Sequence, residues 1–185
     1  MNELEFELEL KKRKYREKRQ IRAFATGILL WVCLLWMLLY GAFGVALVEG
    51  NSMRPAYRDG DLILYMRSFT GKPDYGDVII LHMGAETNDI RMIKRIVGKP
   101  GDVIQIDENG YLERNGERIE EPEIKFGYQG GDAVVQFPYT VPEGRYFYLG
   151  DNRPVSVDSR VLGAVREDAI IGKAIGMLRF EQSAD

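Results

Sequence analysis

A serine hydroxyl is a poor nucleophile until a neighbouring group takes its proton, so the first question is which base this sequence offers. Its single histidine, His82, closes the apolar run Val78-Ile79-Ile80-Leu81 and reads as a strand-end surface residue. Lysine is the stronger option. In Ile90-Arg91-Met92-Ile93-Lys94-Arg95-Ile96-Val97 a period of two puts Ile90, Met92, Lys94 and Ile96 on one side of a strand, so Lys94 interrupts an apolar face. Burial there disfavours the ammonium form and lowers the pKa from about 10.4 toward the range in which a free amine accepts a proton. Alternatively Lys94 buries only its stem and carries its charged head to the strand edge; the pattern is compatible with both.

The serine comes from Gly50-Asn51-Ser52-Met53-Arg54-Pro55. Glycine permits a close backbone approach and proline fixes the turn, which leaves a small hydroxyl on a constrained loop. Taken alone, Ser52 is equally a turn serine bonded to its own backbone. A third cluster, Gly150-Asp151-Asn152-Arg153-Pro154-Val155-Ser156-Val157-Asp158-Ser159-Arg160, follows the aromatic run Tyr146-Phe147-Tyr148. It is either a plain polar turn or a set of groups that orients reacting side chains.

Counting removes other chemistries. Cys33 is the one cysteine, so no intrachain disulfide, thiolate zinc site or cysteine protease fits. One histidine makes no His-rich metal cluster, and no loop has the alternating acidic spacing of a calcium or magnesium site. No metal and no cofactor is expected.

These groups need a scaffold. Residues 23–48, 26 positions, contain no charged side chain, and about 20 apolar residues cross a bilayer. A cleaved signal peptide has a shorter apolar core, so an uncleaved anchor is expected here. Eight basic residues against five acidic ones precede it, which places residues 1–22 as a cytoplasmic tail, 23–48 as a transmembrane helix and 49–185 outside the cell membrane. Ser52 then lies a few residues from the bilayer and reaches substrates presented at its surface. Glu3-Leu4-Glu5-Phe6-Glu7-Leu8-Glu9-Leu10 alternates like a strand but lacks a partner, and is expected as a tail.

The 137 outer residues suffice for a hydrophobic core of their own. Short β-rich runs at 62–65, 78–81, 90–97, 103–106, 145–149 and 170–180 are separated by turn pairs such as Asp59-Gly60 and Gly101-Asp102. A mainly β fold, antiparallel throughout the outer domain, is predicted. Asn109-Gly110 and Asn115-Gly116 bracket a hairpin, and residues 120–131 read as a surface excursion.

Taken in order, Ser52-Met53-x-Pro55, Tyr75-Gly76-Asp77-Val78, Lys94-Arg95-Ile96-Val97-Gly98-x-Pro100-Gly101-Asp102 and Gly150-Asp151-Asn152-Arg153-x-x-Ser156-x-Asp158-Ser159-Arg160 resemble one family. It is the bacterial type I signal peptidases, membrane-bound Ser/Lys proteases that remove secretory signal peptides, and the single span looks like their compact Gram-positive forms. The resemblance implies a signal-peptidase-type β domain with Ser52 as nucleophile and Lys94 as general base. It implies that the Ser156 hydroxyl bonds and orients the amine, that Asp158 and Arg160 support it, and that the Ser52 backbone N–H contributes to an oxyanion hole. Where one branch carries a donor serine this chain has Gly50, so donation from that position would come from its backbone. The substrate partners implied are secretory preproteins with small residues at the first and third positions before the cut, lying against Val48, Met53, Tyr57, Met92 and Ile93.

Two rivals come from other classes. One is a catalytically idle, membrane-anchored assembly module of the same fold, as in pilus assembly, against which the presence of both Ser52 and Lys94 argues. The other is a self-cleaving regulator joined to a DNA-binding domain; the apolar span and the acidic outer part, without a basic groove for nucleic acid, argue against it.

Overall fold

The computed structural model describes residues 3–67, 71–84, 90–107, 109–121 and 135–180, with side chains from residue 12 onward. It divides into two units, Met1–Ala42 and Phe43–Asp185. The expected excursion at 120–131 lies outside the described residues beyond Glu121.

The first unit is one helix, α1 (Glu3–Ala42). Within Lys12–Ala42 an 18-residue window has a mean hydropathy of 2.1, and the helix is long and apolar enough to cross a membrane. Both ends differ from the sequence reading. Residues 3–10 are helical, because Leu, Glu, Lys and Arg are good helix formers and no glycine or proline interrupts them before Gly27. At the other end the helix stops at Ala42, not Val48, and strand β1 (Phe43–Leu47) takes up the remaining apolar residues. Absence of charge suits a strand as well as a span, and here Gly44 decides. A Cβ at Gly44 would overlap the buried ring of Tyr65, which lies across it.

The second unit is the antiparallel β domain predicted. β1, β2 (Leu62–Met66), β3 (Val78–Met83), β4 (Ile90–Gly98), β9 (Arg145–Leu149), β10 (Val165–Arg166) and β11 (Ile170–Leu178) form a seven-stranded sheet in the order β1-β2-β11-β3-β4-β9-β10. A second sheet holds β5 (Val103–Ile106), β6 (Leu112–Arg114), β7 (Glu117–Arg118) and β8 (Tyr139–Thr140) in the order β7-β6-β5-β8. Asn115 and Gly116 both have positive φ, 57° and 83°, as the tight β6–β7 hairpin requires.

Period-two alternation explains the core. On β9, Tyr146 and Tyr148 pack with Ile79, Leu81, Ile96 and Val165, whereas Phe147 and Leu149 pack with Val97, Ile104, Leu112 and Val141. Buried from Tyr146 to Leu149, one strand therefore serves two clusters, and it leads into Gly150, the start of the polar cluster. A short helix, α2 (Ser159–Leu162), closes that segment with Asp158 as its N-cap.

Candidate active site

Ser52 sits in the loop joining β1 to β2. Its neck is a pair of backbone bonds, Val48 N–H to the Asp61 carbonyl at 2.8 Å and Gly60 N–H to the Val48 carbonyl at 2.9 Å. Inside the loop Gly50, at φ 87°, donates its N–H to Asp59 Oδ1 at 2.7 Å. That N–H is committed to the loop, so the backbone donation expected from Gly50 does not face the serine. Met53 is 1% exposed and anchors the turn in the core.

Lys94 lies on β4 opposite Ile79, with Met92 opposite Leu81. It is 3% exposed. Its Nζ stands 2.9 Å from Ser52 Oγ and donates to the Ile93 carbonyl, also at 2.9 Å. Burial pushes the pKa of this amine below the usual lysine value, against a weaker upward pull from Asp158 and then Asp151. Of the two readings open in the sequence, the buried head is the one the fold adopts. His82 is exposed at the end of β3, across from Arg91.

The cluster after β9 folds back onto the serine loop. Asn152 N–H donates to the Ser52 carbonyl at 2.9 Å, and Asn152 Nδ2 to the Asn51 carbonyl at 3.0 Å. Asp151, 2% exposed, takes a two-pronged bond from Arg95, Nε to Oδ1 at 2.8 Å and Nη2 to Oδ2 at 2.7 Å. Asp158, fully buried, accepts the Gly150 N–H at 3.0 Å and the Arg160 Nε at 2.8 Å. Arg160 in turn donates to the carbonyls of Arg153 and Ser156. Burial pushes the Tyr148 phenol beneath this network up to about 12.

Ser156 departs from expectation. Its hydroxyl is buried and has no hydrogen-bond partner among the described residues, and the lysine amine bonds Ser52 Oγ and the Ile93 carbonyl instead. Gly150 lies against both Ser156 Oγ and the Ser52 carbonyl; a Cβ there would overlap them. Thus Ser156 is brought to the back of the serine loop, while the amine is shared between Ser52 Oγ and the Ile93 carbonyl of its own strand.

A cleft of about 500 Å³ runs past Ser52 and Lys94. Val48, Met92 and Ile93 line it, together with Ile63, Ile80, Glu49 and Arg91, which the sequence reading did not name. Met53 and Tyr57 do not line it. Tyr57 N–H bonds back to the Met53 carbonyl, a turn that buries Met53 and brings the Tyr57 phenol within electrostatic reach of Arg95 and Asp151. Among the described residues no His, Cys, Asp and Glu group could hold a metal ion.

Residues 21–178 match the family described as signal peptidase, peptidase S26. This chain belongs to that family. It is 36% identical over 159 residues to signal peptidase I T of Bacillus subtilis, covering 80% of each chain. Signal peptidase I of Bacillus amyloliquefaciens is 34% identical over 158 residues, again 80% of each. Signal peptidase IB of Staphylococcus aureus is 34% identical over 142 residues, 68% of this chain and 72% of that protein. A solved signal peptidase I from Enterococcus faecalis overlays with a TM-score of 0.44 at 31% identity, over 56% of this chain and 97% of its own. As a member of a membrane-bound peptidase family the chain is a peptidase, and its N-terminal apolar helix fits a membrane anchor.

Proposed function

We propose that this chain removes signal peptides from secretory preproteins, with Ser52 as nucleophile and Lys94 as general base. The observation that carries this reading is the 2.9 Å between Lys94 Nζ and Ser52 Oγ, with the amine buried and its pKa lowered. A neutral amine at that distance can take the hydroxyl proton. As it does so, Ser52 Oγ adds to the scissile carbonyl carbon and the carbonyl oxygen becomes an oxyanion. Among the described residues no acceptor is paired with the Ser52 backbone N–H, which leaves it free to bond that oxyanion. The Lys94 ammonium then gives its proton to the departing amine of the mature chain as the C–N bond breaks. Water, deprotonated by the same amine, releases the signal peptide from Ser52.

The cleft supplies the selectivity. Its small apolar wall, Val48, Ile80, Met92 and Ile93, suits small side chains at the first and third positions before the cut, while Lys94 and Ser52 flank the carbonyl. Topology belongs to the same proposal: the basic segment 1–22 stays in the cytoplasm, the apolar helix to Ala42 crosses, and the β unit works outside. Asp158, Arg160 and Ser156 support the site from behind the serine loop.

The test is cleavage of an Ala-x-Ala precursor by the detergent-solubilised chain. Ser52→Ala and Lys94→Ala are each expected to abolish cleavage with the fold intact, and His82→Ala to retain it. Cleavage by Ser52→Ala at the rate of the unaltered chain would overturn the assignment.

A further inference from the structure

The serine loop is gripped from two sides. On one side Asn152 holds the carbonyls of Asn51 and Ser52. On the other, Arg179, just past β11, reaches back 118 residues to Asp61 at the loop's neck. Its guanidinium meets the carboxylate with both prongs, Nε to Oδ1 at 2.8 Å and Nη2 to Oδ2 at 2.7 Å, and Nη2 also donates to the Ala56 carbonyl at 3.2 Å. Asp61 Oδ2 further accepts the Arg58 N–H at 2.7 Å. One side chain from a distant strand end thereby ties together two points of the loop, its neck and the stretch just beyond Pro55.

Planar guanidinium is suited to this, because its fork bonds a carboxylate bidentately and has a further N–H for the carbonyl. Asp61 is 2% exposed, so without Arg179 its charge would be buried with, among the described residues, one backbone donor. The loop would relieve that by opening toward solvent, and its neck is the pair of bonds that sets where Ser52 leaves the sheet. The family match ends at residue 178, so Arg179 lies just beyond it.

We infer that Arg179 is a positioning residue that, through Asp61 and Ala56, holds the Ser52 loop at proton-transfer distance from Lys94. This rests on the proposed Ser52/Lys94 chemistry. It touches neither the cleft walls on β4 nor the amine, so its loss should act on the chemical step and not on substrate binding. A small displacement of a reacting atom is enough to lower the rate by orders of magnitude.

The experiment compares precursor cleavage by the unaltered chain, Arg179→Ala, Arg179→Lys and Arg166→Ala, per folded molecule. Arg166→Ala removes an exposed pair with Asp168 and is the control. Arg179→Ala is expected to lower kcat about ten- to a hundredfold with KM changed less than threefold, and to leave the pH midpoint set by Lys94 in place. Arg179→Lys, keeping the charge but not the fork, should recover part of the loss. Adding Asp61→Asn to Arg179→Ala should cause no further loss, because the two act as one unit. Equal kcat in Arg179→Ala and the control, or a loss that only follows the unfolded fraction, would overturn the inference. If the unaltered chain cleaves nothing, the peptidase reading fails separately. Hydrogen exchange at the Tyr57 and Gly60 amides then decides: faster exchange in Arg179→Ala than in Arg166→Ala upholds the clasp, and unchanged exchange overturns it.

Discussion

Asn152 and Ser52 are a hundred positions apart in the chain and joined by a 2.9 Å bond from the amide of one to the carbonyl of the other. That contact exists only because Gly150, two residues before Asn152, has no side chain. A Cβ at Gly150 would meet the Ser52 carbonyl and the Ser156 hydroxyl. Gly150→Ala is therefore expected to separate the two loops, lowering kcat at least tenfold and stability by about 1–3 kcal/mol, the usual cost of overpacking. Kinetics beside a denaturant titration checks it; an active, equally stable variant would refute the contact.

The buried amine sets a pH dependence. Its pKa in the folded chain is lowered by burial, so cleavage should rise with pH as Lys94 loses its proton, with a midpoint below that of an ordinary lysine. Between the folded and the unfolded pKa the unfolded chain binds more protons, so stability also rises with pH in that window. Lys94→Met should be inactive and lose that rise. Lys94→Arg should be inactive as well, since guanidinium stays protonated. Substantial turnover by the arginine variant would mean that position 94 serves as a charge, not a base.

Removal of the Asp158 carboxylate should be severe. It is fully buried and neutralises Arg160, whose side chain is 7% exposed. Breaking a buried pair from one side leaves an unmatched charge and costs about 3–5 kcal/mol. Asp158→Ala is expected to lose that much in chemical unfolding, whereas Asp168→Ala, from an exposed pair, should lose less than about 1 kcal/mol. Similar losses in the two would count against the network.

Ser156→Ala makes the opposite stability prediction. A buried hydroxyl without a partner among the described residues carries its desolvation cost unoffset, so unfolding free energy should stay level or rise by up to about 1 kcal/mol. A clear loss of stability would show that the hydroxyl is bonded in solution, to Lys94 or to another group.

Much of this was written in the residues themselves. Period-two alternation around β4 and β9 and the Asn115-Gly116 pair specify strands and a hairpin through interactions between near neighbours, so the β domain is legible before folding. The same alternation singles out Lys94, because a charge on an apolar face is visible locally. What no local pattern carries is the end of the apolar helix at Ala42, decided by Tyr65 lying over Gly44. Nor does it carry the clasp of Arg179 on Asp61, the turn that takes Met53 and Tyr57 off the cleft, or the Ile93 carbonyl as holder of the amine in place of Ser156. Each depends on which distant segments the sheet order brings side by side, and short-range propensity has no information about that. Sequence alone determined the candidate reacting types and the strand that carries Lys94; tertiary packing decided their distances, their burial and which neighbours hold them.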